Sequence, residues 1–164
     1  MRRFLVCAVV ALLAAGCNDD GGGGGSPTDP SQVNIEFSTT DLVPGTGAEA
    51  SAGNTATLNF ELWLYNAAGT ASKGTRVQGS SDPNPQVPGT SIGPITIIVG
   101  TGQIAGTNQR VITGFDQGVR GMKVGGKRRV YIPPSLAWGS TGSGSTIPPN
   151  ASVVFEVELT NLVQ

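Results

Sequence analysis

The sequence offers few side chains of the kinds that usually carry out acid–base or nucleophilic catalysis. The 164 residues include no histidine, which excludes a Ser-His-Asp or Cys-His catalytic arrangement and any histidine-ligated metal. The carboxylates that invite an acid–base interpretation are Asp82, Asp116, Glu156 and Glu158. Glu156 and Glu158 alternate with apolar residues and are predicted to face solvent, so no carboxylate pair is placed for hydrolysis. The sequence therefore predicts neither a histidine-based catalytic site nor a two-carboxylate hydrolase.

The stretch GFDQGVRGMKVGGKRRVYIPP, residues 114–134, is the most unusual part of the chain. Phe115, Val119 and Met122 recur at helical spacing, which predicts a short helix over residues 113–120 with one apolar face. Thr113 is the expected N-terminal cap, and Gly121 is expected to end the helix.

Most of the surrounding sequence alternates between apolar and polar residues, the pattern of half-buried strands. The predicted strands are residues 35–43, 55–65, 95–99, 127–133 and 151–163. Residues 66–74, 80–93, 101–110 and 134–150 are predicted loops. The expected architecture is α+β: about five mostly antiparallel strands, with the helix covering one face of the sheet.

The N-terminus is predicted to be an export signal rather than part of the fold. Arg2 and Arg3 precede an apolar run over residues 4–15, which is too short to span a bilayer comfortably. The sequence Leu-Ala-Ala-Gly-Cys that follows resembles a bacterial lipobox, which implies a lipid on Cys17. The alternative is an ordinary secretory signal with an incidental cysteine.

These features predict three segments: a signal peptide at 1–16, a lipidated cysteine with a glycine-rich tether at 17–32, and a folded domain at 33–164. The expected location is outside the cytoplasm, on a membrane, facing the periplasm or the cell exterior. The chain carries 10 basic and 11 acidic residues, so no basic surplus argues for a nucleic-acid partner. The expected state is a monomer.

Two long motifs near the C-terminus identify a family resemblance. VITGFDQGVRGMKVGGKRRVYIPPSLAWG, residues 111–139, and IPPNASVVFEVELTNL, residues 147–162, resemble the FKBP-type peptidyl-prolyl cis-trans isomerase domain. The resemblance covers roughly residues 41–163. It implies a half-open antiparallel sheet wrapped around one short helix, with substrate proline entering between helix and sheet.

The resemblance also implies roles for particular residues, without any metal or cofactor. Phe115 matches the aromatic floor under the prolyl ring, and the backbone N–H of Ile112 would bond a substrate carbonyl. Trp138 matches the aromatic residue of a flap loop. The remaining implied site residues are Val111 beside Ile112, the walls Phe60, Phe155, Ile95 and Ile147, and the pair Val77 and Gln78. The implied substrates are unfolded or partly folded polypeptides that contain proline.

Several positions depart from the family pattern and leave alternatives open. Val77 and Gln78 stand where the family usually has Phe-Asp, so a carboxylate becomes a neutral amide. Trp138 replaces a tyrosine, and Phe60 stands where tyrosine is common. The main hypothesis is an isomerase that assists the folding of exported proteins. The alternatives are a weakly active or inactive FKBP-like binding or chaperone lipoprotein and, far less supported, an immunoglobulin-like lipoprotein.

Overall fold

The computed structural model of the protein describes residues 29–84 and 91–164. Within these residues, seven strands form one antiparallel sheet with a single α-helix, α1, at Thr113–Val119. The strands are β1 (Ser38–Val43), β2 (Thr55–Tyr65), β3 (Lys73–Gly79), β4 (Ile95–Ile98), β5 (Gln103–Ile104), β6 (Lys127–Ile132) and β7 (Val153–Val163). Short 3-10 turns lie at Pro30–Gln32, Thr70–Ser72, Pro134–Leu136 and Gly139–Thr141.

The sheet is built around β2 and β7, the two longest strands. Its order is β1-β6-β7-β2-β4-β5, and β3 also pairs with β2. β7 runs along one edge of β2, while β4 pairs with residues 55–58 and β3 with residues 61–65 on the other edge. Between these two pairings, this edge of β2 has no partner strand beside Phe60 within the described residues. There the Phe60 C=O accepts a hydrogen bond from Ser80 N–H, and the Phe60 N–H donates to Ser80 Oγ, both at 2.9 Å.

One face of the sheet carries the core, as the alternating pattern predicted. Leu58 and Leu62 of β2 are buried, and so are Val153, Phe155, Val157 and Leu159 of β7. The helix covers this face with Phe115 and Val119, and Met122 is buried just beyond its end. The expected α+β architecture of an antiparallel sheet and one short helix is therefore confirmed.

Two strands were not predicted. β3 begins in the predicted loop at residues 66–74 and continues through residues 75–79, for which no element was predicted, and β5 lies in the predicted loop at residues 101–110. β1 begins at Ser38, three residues later than expected. The predicted cap was also wrong: Thr113 is the first helical residue, and Ile112 precedes the helix without any side-chain capping bond. Gly121 follows the helix with a φ of +75°, a left-handed conformation that glycine tolerates.

The described contacts of the domain begin before the predicted boundary at residue 33. Asp29 caps the turn Pro30–Gln32 by accepting from Ser31 N–H at 2.9 Å. Ser31 is buried, and its C=O accepts from the N–H of Ser152 at 2.7 Å.

The predicted signal peptide and Cys17 lie outside the described residues. Within residues 29–84 and 91–164, no helix combines the length and hydrophobicity needed to cross a bilayer.

Glu156 was predicted to face solvent, and this prediction was wrong. Its side chain lies on the sheet face opposite the core, but it is only 9% exposed. Lys73 Nζ donates to Glu156 Oε1 at 3.0 Å, and Arg129 donates to the same oxygen at 2.7 and 3.0 Å. Long cationic side chains from β3 and β6 cover this carboxylate. Strand alternation alone does not reveal such a cover.

This ion-paired cluster predicts acid sensitivity. Burial alone would raise the pKa of Glu156, but the bonds and charges of Arg129 and Lys73 outweigh it and lower that pKa below its ordinary value of 4.5. Because the folded-state pKa is depressed, the stabilisation is complete above pH 4.5 and is lost as the pH falls through the folded value. Denaturant unfolding measured between pH 7 and pH 3 should therefore show a shallower loss of stability for Glu156→Gln than for wild type. Parallel curves for the two proteins would contradict this assignment.

Candidate active site

Three phenylalanines meet between the helix and the sheet. Phe60 comes from β2, Phe155 from β7 and Phe115 from the first turn of α1. The Phe115 and Phe155 ring centroids are 5.1 Å apart at 75°, and Phe60 lies 6.4 and 6.3 Å from the two rings. These separations and the near-perpendicular pairs are those of favourable aromatic contacts. Phe115 and Phe155 are 3% and 5% exposed, whereas Phe60 is half-buried at the point where the sheet edge opens.

Glycines allow the helix to approach the sheet closely enough to form this cluster. An ideal Cβ at Gly118 would lie 2.7 Å from both methyl groups of Val130 in β6. A Cβ at Gly114, one turn earlier, would collide with Ile132 of the same strand. These two glycines therefore determine how closely α1 approaches the sheet, and with it how closely Phe115 packs against the sheet.

An open cavity of about 200 Å³ lies above the phenylalanine cluster; we call it the aromatic cavity. It is lined by Phe60, Leu62, Gln78, Ile95, Arg110, Val111, Ile112, Phe115, Trp138 and Phe155. Its volume is below the ~300–1,000 Å³ that is typical of sites for drug-sized molecules. A cavity of this size suits one side chain of a polypeptide rather than a whole small molecule.

The cavity brings together eight of the ten residues predicted for the site. Val77 and Ile147 do not line it: Val77 is half-buried against the core, and Ile147 is buried in it. Sequence reasoning missed Leu62 and Arg110. Leu62 is two residues from Phe60 on the same face of β2, so strand alternation offered a signal for it. Arg110 immediately precedes Val111, but no pattern in its own segment marks it.

Backbone and side-chain donors at the cavity are available for a ligand. The Ile112 C=O accepts from Phe115 N–H, but the Ile112 N–H has no partner among the described residues. The indole N–H of Trp138 and the amide of Gln78 likewise make no hydrogen bond within the described part of the chain. The cavity therefore combines apolar walls with a few donors at its rim, the composition expected of a binding site.

Trp138 is held by an ordered loop rather than by a strand. It lies between the turns Pro134–Leu136 and Gly139–Thr141, and it is half-buried. Asn150 N–H donates to the Gly139 C=O at 2.8 Å, which joins this loop to the start of β7. The indole thus lines the cavity without filling the space.

A wider groove of about 680 Å³ continues from the aromatic cavity and shares Phe60, Gln78 and Ile95 with it. Ile104 and Gln109, on either side of the turn after β5, line its far side. The predicted loop at residues 101–110 therefore flanks the site. Such a groove offers room for residues next to a side chain held in the cavity.

Comparison with known proteins agrees with this geometry. Residues 46–160 match the family described as FKBP-type peptidyl-prolyl cis-trans isomerase. An FK506-binding protein of Neisseria meningitidis serogroup A is 40% identical over 119 residues, which are 73% of this chain and 89% of the relative.

Solved structures share the fold. FkpA from Escherichia coli superposes with a TM-score of 0.55 at 26% identity, covering 77% of this chain and 47% of FkpA. A peptidyl-prolyl cis-trans isomerase from Pseudomonas syringae gives a TM-score of 0.56 at 24% identity, with 84% of each chain covered. The extent of the family match, together with the Neisseria relative, is decisive: this chain belongs to the FKBP-type peptidyl-prolyl cis-trans isomerase family.

Proposed function

We propose that the aromatic cavity is where this isomerase holds the prolyl ring of its substrates, and that these substrates are exported polypeptides as they fold. The observation that carries the proposal is the cavity itself: three phenylalanine rings at its base, open space above them, and at its rim the N–H of Ile112, which bonds to none of the described residues. No acid or base is needed for this chemistry.

The reaction is a rotation about one bond. The X–Pro amide is planar because of conjugation, and rotation away from planarity has a barrier of ~18–20 kcal/mol. The twisted transition state loses conjugation and is less dipolar than the planar ground state. An apolar cavity that excludes water therefore disfavours the planar amide relative to the twisted one, which lowers the barrier.

The rim donors would orient the polypeptide while the bond rotates. The Ile112 N–H lies at the start of α1, where the helix dipole favours a carbonyl oxygen that accepts its hydrogen bond. The Trp138 indole N–H and the Gln78 amide supply further donors around the same opening. We assign Phe115, Phe155 and Phe60 to the base and walls, with Val111, Ile95 and Leu62 completing the apolar lining.

Trp138 provides the first test of this arrangement, because it is half-buried and lies in a loop outside the sheet. Trp138→Ala should lower kcat/KM for proline-containing tetrapeptides by about tenfold, the cost of one lost donor and wall at ~1.4 kcal/mol. Trp138→Phe restores the wall alone and should recover part of the loss. Unchanged kcat/KM in a folded Trp138→Ala protein would remove this residue from the site.

Export and membrane attachment rest on the sequence before residue 29. A lipid on Cys17 would hold the protein on a membrane, and the 12 residues from Cys17 to Thr28 can span at most ~43 Å. A monomeric domain attached in this way would meet polypeptides close to the membrane surface. Because X–Pro isomerisation takes tens of seconds without a catalyst, proteins folding there would gain from its acceleration.

Cell fractionation tests the attachment. The wild-type chain should be found with membranes and should be released by detergent, whereas Cys17→Ala should be found in the soluble fraction or remain unprocessed. The replacement lies outside the described domain, so the isomerase activity of purified protein should be the same in both. Incorporation of radiolabelled palmitate into both proteins alike, or into neither, would contradict lipid attachment at Cys17.

A second candidate function is polypeptide binding with little catalysis. The observation that favours it is the rim chemistry. Gln78 supplies a neutral amide where the family usually has a carboxylate, and Trp138 supplies an indole where the family usually has a tyrosine. Slow exchange of a bound peptide without any change in its cis–trans rate would support this function over catalysis. Acceleration by catalytic amounts of protein would exclude it.

A further inference from the structure

Arg110 gives the rim of the aromatic cavity a positive charge that no carboxylate in the described part of the chain balances. The described residues that line the cavity include no aspartate or glutamate. Among the described residues, the Arg110 side chain donates only to the C=O of Thr101, at 3.2 Å. Since Gln78 is neutral, Arg110 is the one charged residue among the described lining residues.

This lack of a partner is unusual for cations in the described part of the chain. Six of its lysines and arginines lie within 4 Å of a carboxylate: Lys73, Arg76, Arg120, Lys127, Arg128 and Arg129. The other two are Arg110 and Lys123. Lys123 lines a different depression, next to Pro44 and Gly126, and shares no lining residue with the aromatic cavity.

The backbone around Arg110 is fixed on both sides. Arg110 is bridged to Gln103 of β5, and the N–H of Val111 donates to the C=O of Gly102 at 2.9 Å. The turn that precedes β5 is tied to the helix, because Gly100 N–H donates to the buried carboxylate of Asp116 at 2.8 Å. Arg110 therefore projects from a segment held between β5 and α1, two residues before the available N–H of Ile112.

We propose that Arg110 selects substrates in which an acidic residue lies immediately beside the proline. The proposal rests on the proposed function, since it requires the prolyl ring to occupy the aromatic cavity. A neighbouring Asp or Glu would then lie at the rim, where a guanidinium can donate to both carboxylate oxygens. A lysine at the same place would be repelled. Arg110 acts as a specificity-determining residue and takes no part in bond rotation.

The test measures kcat/KM at pH 7.5 for end-blocked peptides that differ only beside the proline, with Glu, Gln or Lys placed before it in one series and after it in another. An exposed ion pair is worth ~0.2–1 kcal/mol. Attraction of Glu and repulsion of Lys together should thus give a Glu-to-Lys ratio of about fivefold in at least one series. In 1 M salt the Debye length falls to ~3 Å, and the ratio should shrink.

Charge reversal gives the decisive comparison. Arg110→Glu should invert the Glu-to-Lys ratio, whereas Lys123→Glu changes the net charge equally and should leave the ratio as in wild type. An unchanged ratio in Arg110→Glu, or an equal change in both variants, would overturn charge selection while leaving the isomerase function intact. A folded wild-type protein that accelerates none of the peptides would overturn the proposed function, and this proposal with it.

Discussion

Phe115→Ala is expected to abolish isomerase activity and to lower the free energy of unfolding by ~3–5 kcal/mol. Phe115 is 3% exposed and contacts the rings of both Phe60 and Phe155. Truncation would remove the base of the aromatic cavity, and the space left behind would be only partly refilled. Activity should be measured with tetrapeptides at a temperature where the variant is folded, and stability by urea unfolding.

Met122→Ala is the matched control, because it separates the loss of the cavity base from the loss of stability. Met122 is 2% exposed beyond the end of the same helix and does not line the aromatic cavity. Its truncation should cost ~2–5 kcal/mol, yet the folded fraction should keep its activity. The assignment of Phe115 to the site fails if folded Phe115→Ala remains fully active, or if Met122→Ala loses activity to the same degree.

Gly118→Val is expected to destabilise the packing of the helix on the sheet by about 3 kcal/mol or more. Inserting carbon atoms into a packed core costs ~1–3 kcal/mol, and here the Cβ alone would lie 2.7 Å from both Val130 methyls. The helix would have to move away from β6, and Phe115 would move with it. Both unfolding free energy and kcat/KM should fall, whereas Gln117→Val at an exposed position of the helix should change each only slightly.

A double-mutant cycle tests whether the Val130 contact is the cause. Gly118→Ala adds one methyl group against Val130, and Val130→Ala removes the methyl groups that it would meet. The double variant should therefore be more stable than the sum of the single effects predicts, by ~0.5–3 kcal/mol for residues in contact. Strict additivity would show that Gly118 is required for another reason.

Strand prediction succeeded where side-chain alternation reflects burial on one face. β2 was predicted with its observed bounds because Leu58, Phe60, Leu62 and Leu64 share that face. β3, with the sequence KGTRVQG, has no such alternation and exists because it pairs with β2. β5 has two residues and depends on β4 in the same way. Strands set by tertiary pairing carry no local signal.

Much of the site was predictable from the family resemblance, and several of its residues lie in the family motifs. Phe115, Ile112 and Trp138 all lie in the stretch from residue 111 to 139 and all line the cavity. Arg110 lies just outside that stretch, in a loop whose position depends on β5 and on Asp116. The significance of its charge emerges only from the structure, because six of the other seven described lysines and arginines lie within 4 Å of a carboxylate. Glu156 shows the same limit, since its burial comes from side chains on two other strands.

The central claim is that an apolar cavity without acid or base accelerates X–Pro isomerisation. The most direct test is the refolding rate of a protein whose folding is limited by proline isomerisation, measured with increasing amounts of the chain from Asn18 onward. The account predicts a rate that rises in proportion to the amount of wild-type chain, a similar rise with Met122→Ala at a temperature where it is folded, and none with Phe115→Ala. A wild-type chain that is folded but leaves the refolding rate unchanged at every concentration would contradict it.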